Sequence, residues 1–206
     1  MEKKSKREHI LNNAIKIFAQ KGIRNTKMID VANAANVGKG TLYEYFSSKE
    51  SLIGDMFDYW IQQFQKKQEA RIHNTTEPVS KIKELIRNTF ELYQKLKDFM
   101  EVLFDFWAEG IHYDNTPFSL SLEKMYTEYR KRITSILRNG VKKGVFKNDL
   151  DIGLTTSTII ALLDGMLLQY AFLKDSQFKP NGISKKISEI ILRGILPQSQ
   201  LEREEL

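Results

Sequence analysis

The feature that most constrains this chain is a helical period that almost never lapses. Apolar residues recur at i, i+3, i+4 and i+7, as in Leu11, Ala14, Ile15 and Phe18, the spacing that lines one face of an α-helix. No run alternates apolar and polar residues as a half-buried strand would. The punctuation is helical too. Ser5 and Glu8 have the spacing of a capping box, and Gly22 stops the first helix. Thr26 is placed to cap a second helix with Met28, Val31, Ala32 and Ala35 inward, and Asn36 follows it, a residue that tolerates the left-handed conformation used to end helices. A third short helix is expected from about Gly38–Lys39 to Phe46. Ser47 and Glu50 make another capping box ahead of a long fourth helix with Ile53, Met56, Phe57, Trp60 and Phe64 on one face. Pro78, Asp98–Glu101 and Thr116–Pro117 mark three further starts. Two more helices are expected from about Asp149 to Lys174 and from Ser184 to Leu196, the last ended by Pro197. The fold class is all-α, with about nine helices.

Residues 26–46 carry the most specific geometry. Two short helices meet at the tight turn Ala35–Asn36–Val37–Gly38, and the small residues Ala32, Ala34 and Ala35 let them cross closely. That is a helix-turn-helix, in which the second helix enters the DNA major groove with its N-terminal end near the bases. Leu42 and Phe46 face inward, so Lys39, Thr41, Tyr43 and Tyr45 face outward. Lys39 can reach a guanine edge or a phosphate, and Thr41 a phosphate or a thymine methyl. Gly40 has no side chain, so its backbone can come close to DNA. Lys49 sits in the first turn of the next helix, where a lysine opposes the helix dipole and a phosphate would be welcome. Glu44 either accepts from a cytosine amino group or faces solvent.

Charge points the same way. Residues 1–49 hold ten Lys/Arg against four Asp/Glu, and the remainder holds 22 of each, so the whole excess of +6 lies in the first quarter. A basic end of this kind suits a polyanion, or serves only as a solubilising face. The chain has no cysteine, which removes disulfides, thiolate metal sites and cysteine nucleophiles. His9, His73 and His112 have no metal-ligand spacing and read as surface residues. No Ser/His/Asp set, P-loop or dinucleotide fingerprint appears. No metal, cofactor or enzymatic activity is expected. "MEKKSKREH" has no apolar run behind it and is not read as a signal peptide. The apolar stretch Leu154–Leu173 is interrupted by Thr155, Thr156, Ser157, Thr158, Asp164 and Gln169 and reads as a buried helix, not a membrane span. The expected location is the cytoplasm.

"TKMIDVANAANVGKGTLYEYFSSKESL" resembles the DNA-binding signature of TetR/AcrR-type transcriptional repressors, over about residues 8–60. The resemblance implies a two-domain, all-helical DNA-binding repressor. It puts Thr26 at the helix-two cap near a phosphate, Lys39, Thr41 and Tyr43 on bases or phosphates, and Tyr45 and Lys49 on phosphates. This chain departs from the pattern in four places. Asn36 replaces the turn glycine. Gly38 replaces a Ser/Thr cap but keeps its backbone N–H. Lys27 stands where a second threonine is common and can supply that phosphate contact. Ile29 stands where a polar residue usually faces DNA, which argues against a base contact from that helix.

Past residue 60 the residues speak less sharply. Trp60, Phe64, Phe104, Trp107, Met125, Tyr129, Leu162 and Met166 form either ordinary core or an apolar ligand cavity oriented by a few polar groups. Asp105, Glu109 and Asp164 lie beside these runs and would favour a cationic ligand through charge and aromatic faces, unless they are salt-bridged or exposed. The last two helices offer more apolar surface than one bundle needs, and Gly165 in mid-helix suits a close contact, so they read as a homodimer interface; the resemblance implies the same. The expected organisation is a DNA-binding domain at residues 1–47, a ligand-binding and dimerisation domain at 48–197 and a polar tail at 198–206. The expected function is a homodimeric repressor released from a pseudo-palindromic operator by a largely apolar small-molecule inducer. The alternative is a helical interaction protein whose basic end binds acidic partners.

Overall fold

The computed structural model describes residues 3–73, 75–95, 100–112, 116–173 and 180–199. Among these residues the regular structure is all helical, in the order α1 (Lys3–Asn25), α2 (Met28–Ala34), α3 (Lys39–Tyr45), α4 (Lys49–His73), α5 (Pro78–Lys95), α6 (Met100–His112), α7 (Pro117–Lys142), α8 (Ile152–Leu173) and α9 (Pro180–Ile195). The chain divides into two compact units, Met1–Gln65 with Asp98–Tyr126, and Lys66–Lys97 with Thr127–Leu206.

In the first unit α1 packs on α2 and on α6, and α2 packs on α3. Leu11, Ala14, Phe18, Val31, Leu42 and Phe46 are fully buried there, so the period read from the sequence is the core face. The α2–α3 turn has a specific construction. Asn36 takes φ +51°, its N–H donates to the Asn33 carbonyl at 3.0 Å, and the Val37 N–H donates to the Ala32 carbonyl at 2.9 Å. These are the two bonds of a Schellman motif, which satisfy carbonyls the helix end would otherwise leave open. Several expected ends move. Helix α1 already runs at Lys3, so Ser5 lies inside it and not at its cap. Gly22 breaks α1 at φ +75°, and a further turn continues to Asn25. The cap of α4 is Ser48 and not Ser47: the Ser51 N–H donates to Ser48 Oγ at 3.1 Å. Ala34 is exposed, so only Ala32 and Ala35 of the three small residues serve the crossing.

In the second unit α5 packs on α8 and α9. Helix α7 ends in another Schellman motif around Gly144, at φ +68°, with Gly144 N–H to the Val141 carbonyl and Val145 N–H to the Gly140 carbonyl, both at 2.9 Å. The turn folds Phe146 back onto Gly140, where a Cβ would overlap the ring. Lys147 then closes the far end of α9: its N–H donates to the Ile195 carbonyl at 3.0 Å and its Nζ to the Gly194 carbonyl at 2.8 Å. Helix α8 starts at Ile152, later than expected, because Asp151 caps it by accepting from the Leu154 N–H at 2.9 Å. Its burial is one-sided. Thr156, Ile159, Ile160, Leu163 and Leu167 are buried, while Leu154 is 65% and Phe172 75% exposed. The expectation of a buried helix therefore holds for one face only. Helix α8 is long and apolar enough to cross a membrane by length and composition, as the core helix of a soluble bundle also is. Asp98, Phe99, Leu96 and residues 200–206 lie outside the described residues.

Candidate nucleic-acid interface

Helix α3 is held from behind and open in front. Leu42 and Phe46 are buried, and the Leu42 and Phe46 N–H groups bond to the Gly38 and Leu42 carbonyls at 3.0 Å each. Gly38, Lys39, Gly40, Tyr43 and Glu44 are exposed, and Thr41 and Tyr45 are half-buried. Gly38 is the N-cap without a side-chain bond to the helix, so the first N–H groups of α3 stay available to an acceptor. Lys39 lies over the Tyr43 ring, Nζ 5.9 Å from its centre, one turn along the same face. A Cβ at Gly40 would meet nothing within 4 Å, so its small size leaves open space on the outer surface. The outer face is thus a cation, a phenol and bare backbone on a rigid support.

Helix α2 presents differently. Thr26 is 1% exposed and its hydroxyl donates to the Gly22 carbonyl at 2.7 Å. It closes the broken end of α1 and does not cap α2. The N-cap is Lys27, which is exposed, and its N–H donates to Asp30 Oδ2 at 2.8 Å. Asp30 also accepts from Lys21 Nζ at 2.8 Å. The Lys21 ammonium, then the Lys27 N–H, hold the Asp30 carboxyl below the usual carboxylate range. Ile29 is 43% exposed. Lys49 is half-buried, its Nζ 3.5 Å from the Arg24 carbonyl, a long contact that ties α4 to the end of α1.

Two supports have no signature in the sequence. Arg7 Nη2 holds Asp55 Oδ2 at 2.8 Å while its guanidinium lies 5.4 Å from the centre of the Phe46 ring. It joins α1, α4 and the C-cap of α3, although it belongs to the basic N-terminal run. His9 Nε2 lies 3.1 Å from the Ala35 carbonyl oxygen. A carbonyl can only accept, so that nitrogen carries the proton, and His9 secures the α2 end. Both links span too many residues for a spacing argument to find.

The candidate ligand residues fall in both units. In the first, the Phe104 and Trp107 rings meet edge to face at 5.7 Å and 76°, and Trp107 Nε1 is buried with no hydrogen-bond partner among the described residues; Met125 is half-buried. In the second, Leu162 and Met166 are half-buried, and Tyr129 Oη lies 3.0 Å from Thr89 Oγ1. Thr89 gives its own proton to the Leu85 carbonyl at 2.9 Å, so Tyr129 is the donor of the pair. Burial pushes the Tyr129 phenol well above its ordinary range, the Thr89 bond works against that, and the Asp164 carboxylate adds to the rise. The side chains of Trp60, Phe64 and Glu109 lie outside the described residues.

Residues 10–56 match the family model described as bacterial regulatory proteins, tetR family, and residues 78–205 match that of the BetI-type transcriptional repressor, C-terminal. The chain is similar to the HTH-type transcriptional repressor KstR2 of Mycolicibacterium smegmatis, 26% identical across 95% of this chain and 93% of that one. Its fold is that of the transcriptional regulator FadR from Bacillus subtilis, solved in complex with stearoyl-CoA, with a TM-score of 0.77 and 22% identity across 91% of this chain and 98% of that one. It is also that of a putative transcriptional regulator from Saccharomonospora viridis, solved in complex with choline, with a TM-score of 0.81 and 21% identity across 95% and 100%.

Proposed function

We propose that this chain, which belongs to the TetR family of bacterial regulatory proteins, represses transcription as a homodimer that an apolar acyl ligand releases from its operator. The observation that carries the DNA half is the face of α3, where Lys39, Gly40 and Tyr43 are open and Leu42 and Phe46 are fixed in the core behind them. On this reading Lys39 and Tyr43 meet base edges or the backbone, and Thr41 and Tyr45 meet phosphates beside them. The backbone N–H groups of Gly38 and Gly40 donate to a phosphate, as those at a helix N-terminus do. Lys27 and Lys49 flank this face as further phosphate contacts. The hydroxyl of Thr26 is already used, so its part is to hold Lys27 in place. The DNA-binding domain is residues 1–47, and residues 48–197 sense the ligand and dimerise, with a polar tail after them. DNA binding places the protein in the bacterial cytoplasm.

Helices α8 and α9 supply the dimer surface. Leu154, Thr158, Ala161, Gly165, Leu168 and Phe172 follow one another at helical spacing on α8, large at the ends and small in the middle. All but half-buried Gly165 are exposed, and a Cβ at Gly165 would meet nothing within 4 Å. Small central residues let two helices approach closely, and a two-fold axis makes the same stripe meet itself. Ile190 of α9, 59% exposed, extends the surface. Two subunits so related present two α3 helices to successive major grooves, about 34 Å apart.

The ligand reading rests on the apolar character of Phe104, Trp107 and Met125 in the first unit and on the structural neighbour solved with stearoyl-CoA. Helix α6 carries Phe104 and Trp107 and packs on α1, so the DNA module has a direct contact with a ligand-bearing helix beside the covalent one through α4. A ligand held by α4 and α6 shifts α1 and the spacing of the two α3 helices. It acts only if it binds the released state more tightly than the DNA-bound one. The acidic side chains favour a cation instead, with Asp164 close enough to Tyr129 to raise its phenol. Operator release separates the two: stearoyl-CoA dissociates the complex at micromolar concentration and choline does not. The reverse result assigns the site to cations.

A further inference from the structure

We infer that the inducer carries a neutral carbonyl oxygen that accepts a hydrogen bond from Trp107 Nε1, an inference that rests on the ligand-responsive reading and deepens it. The indole nitrogen is a donor only. Buried tryptophan N–H groups ordinarily find a partner, because an unmade bond leaves the full desolvation cost of the group in place. Trp107 Nε1 is buried and has none among the described residues. The Phe104 ring meets the indole edge to face at 5.7 Å and 76°, and both sit on α6, one turn apart.

On α6 itself the residues one turn back from Trp107 are Leu103 and Phe104, which offer no side-chain partner to a buried water, and such a water needs two to four. Leu103 is 4% exposed. A free carboxylate is a poor occupant, because one neutral donor does not compensate a buried charge. One neutral donor beside the Phe104 ring matches one neutral acceptor on an apolar body. That describes an acyl thioester or a ketone, and excludes a hydrocarbon, a free fatty acid or a simple cation as the preferred ligand.

The chain has two tryptophans, so an amide-type NMR spectrum of the 15N-labelled dimer holds two indole signals. Trp107→Phe or Trp60→Phe assigns them, whichever variant keeps the wild-type circular dichroism. The probes are stearoyl-CoA, its S-octadecyl thioether analogue without the carbonyl oxygen, progesterone as a ketone, stearate and choline, each also scored for release of the protein from operator DNA. The expected result is that a carbonyl-bearing probe releases the operator and moves the Trp107 indole proton downfield. The thioether then binds wild type about five- to tenfold more weakly than stearoyl-CoA, the span of one hydrogen bond, and the two bind Trp107→Phe alike. The inference is overturned if a releasing probe leaves the Trp107 signal in place, if thioether and thioester bind wild type equally, or if neither carbonyl-bearing probe binds. Release by choline alone would overturn it and leave the ligand-responsive reading standing. Failure to bind operator without any ligand would instead sink the reading beneath it.

Discussion

The Arg7 guanidinium lies 5.4 Å from the centre of the Phe46 ring, so the first helix holds the residue that ends the recognition helix. The same side chain pairs with Asp55 at 2.8 Å, both partners about 38% exposed. At that exposure the ion pair adds little, and the stacked contact about 0.5–1 kcal/mol. Arg7 is thus already engaged as a support for α3.

Arg7→Ala should therefore lower stability by about 1 kcal/mol and weaken operator binding by about two- to fivefold. The slope of log affinity against log salt should stay as in wild type. Were Arg7 bound to a phosphate, its removal would make that slope shallower by about 0.9, and a decrease of that size would move Arg7 into the DNA face.

Gly140→Ala should destabilise the second unit by about 1–3 kcal/mol, the usual cost of overpacking, because the new methyl overlaps the buried Phe146 ring. Thermal unfolding reads it. Adding Phe146→Leu should recover part of the stability; two independent, additive effects would show that the methyl and the ring do not meet there.

Asp30→Asn should lower the melting temperature at pH 7. The Asp30 carboxyl sits below its ordinary value of 3.8 in the folded chain, held by Lys21 and the Lys27 N–H. A depressed carboxyl contributes stability above the unfolded value and loses it as pH falls through the folded one. The difference between wild type and variant should therefore be constant above about pH 5 and vanish as pH drops well below 3.8. A difference that persists in full at about pH 1, below both values, would mean that the side chain acts through shape alone.

Ala161→Glu with Gly165→Glu should convert the dimer to a monomer in sedimentation, since both positions lie in the middle of the uncovered α8 stripe. A double variant that remains dimeric would remove α8 from the interface.

How much of this was legible in the sequence depended on range. Asn36 announced the left-handed turn because few residues tolerate φ +51°, and Leu42 and Phe46 announced the back of α3 through their spacing. Local caps were legible only to within a residue: Ser47 and Ser48 are equally good caps by residue type, and the bond to Ser51 decides for Ser48. Thr26 looked like a cap because threonines often are; the carbonyl freed by the break at Gly22 competes for its hydroxyl and wins. Arg7 with Asp55 and Phe46, and His9 with Ala35, could not be read at all. Those pairs exist only once three helices have packed, and a basic residue in a basic run gives no hint that it is already engaged.

The central claim is that two α3 helices read successive major grooves through Lys39 and Tyr43. Its most direct test is hydroxyl-radical footprinting on duplexes selected from random sequence, for wild type and the Lys39→Ala/Tyr43→Ala pair. Wild type should protect two half-sites one helical turn apart, about 10 base pairs centre to centre or a multiple of it. The double variant should lose at least about tenfold in affinity with the dimer intact. Wild-type binding that does not distinguish the selected duplex from scrambled DNA, or a double variant that binds it like wild type, would contradict the account.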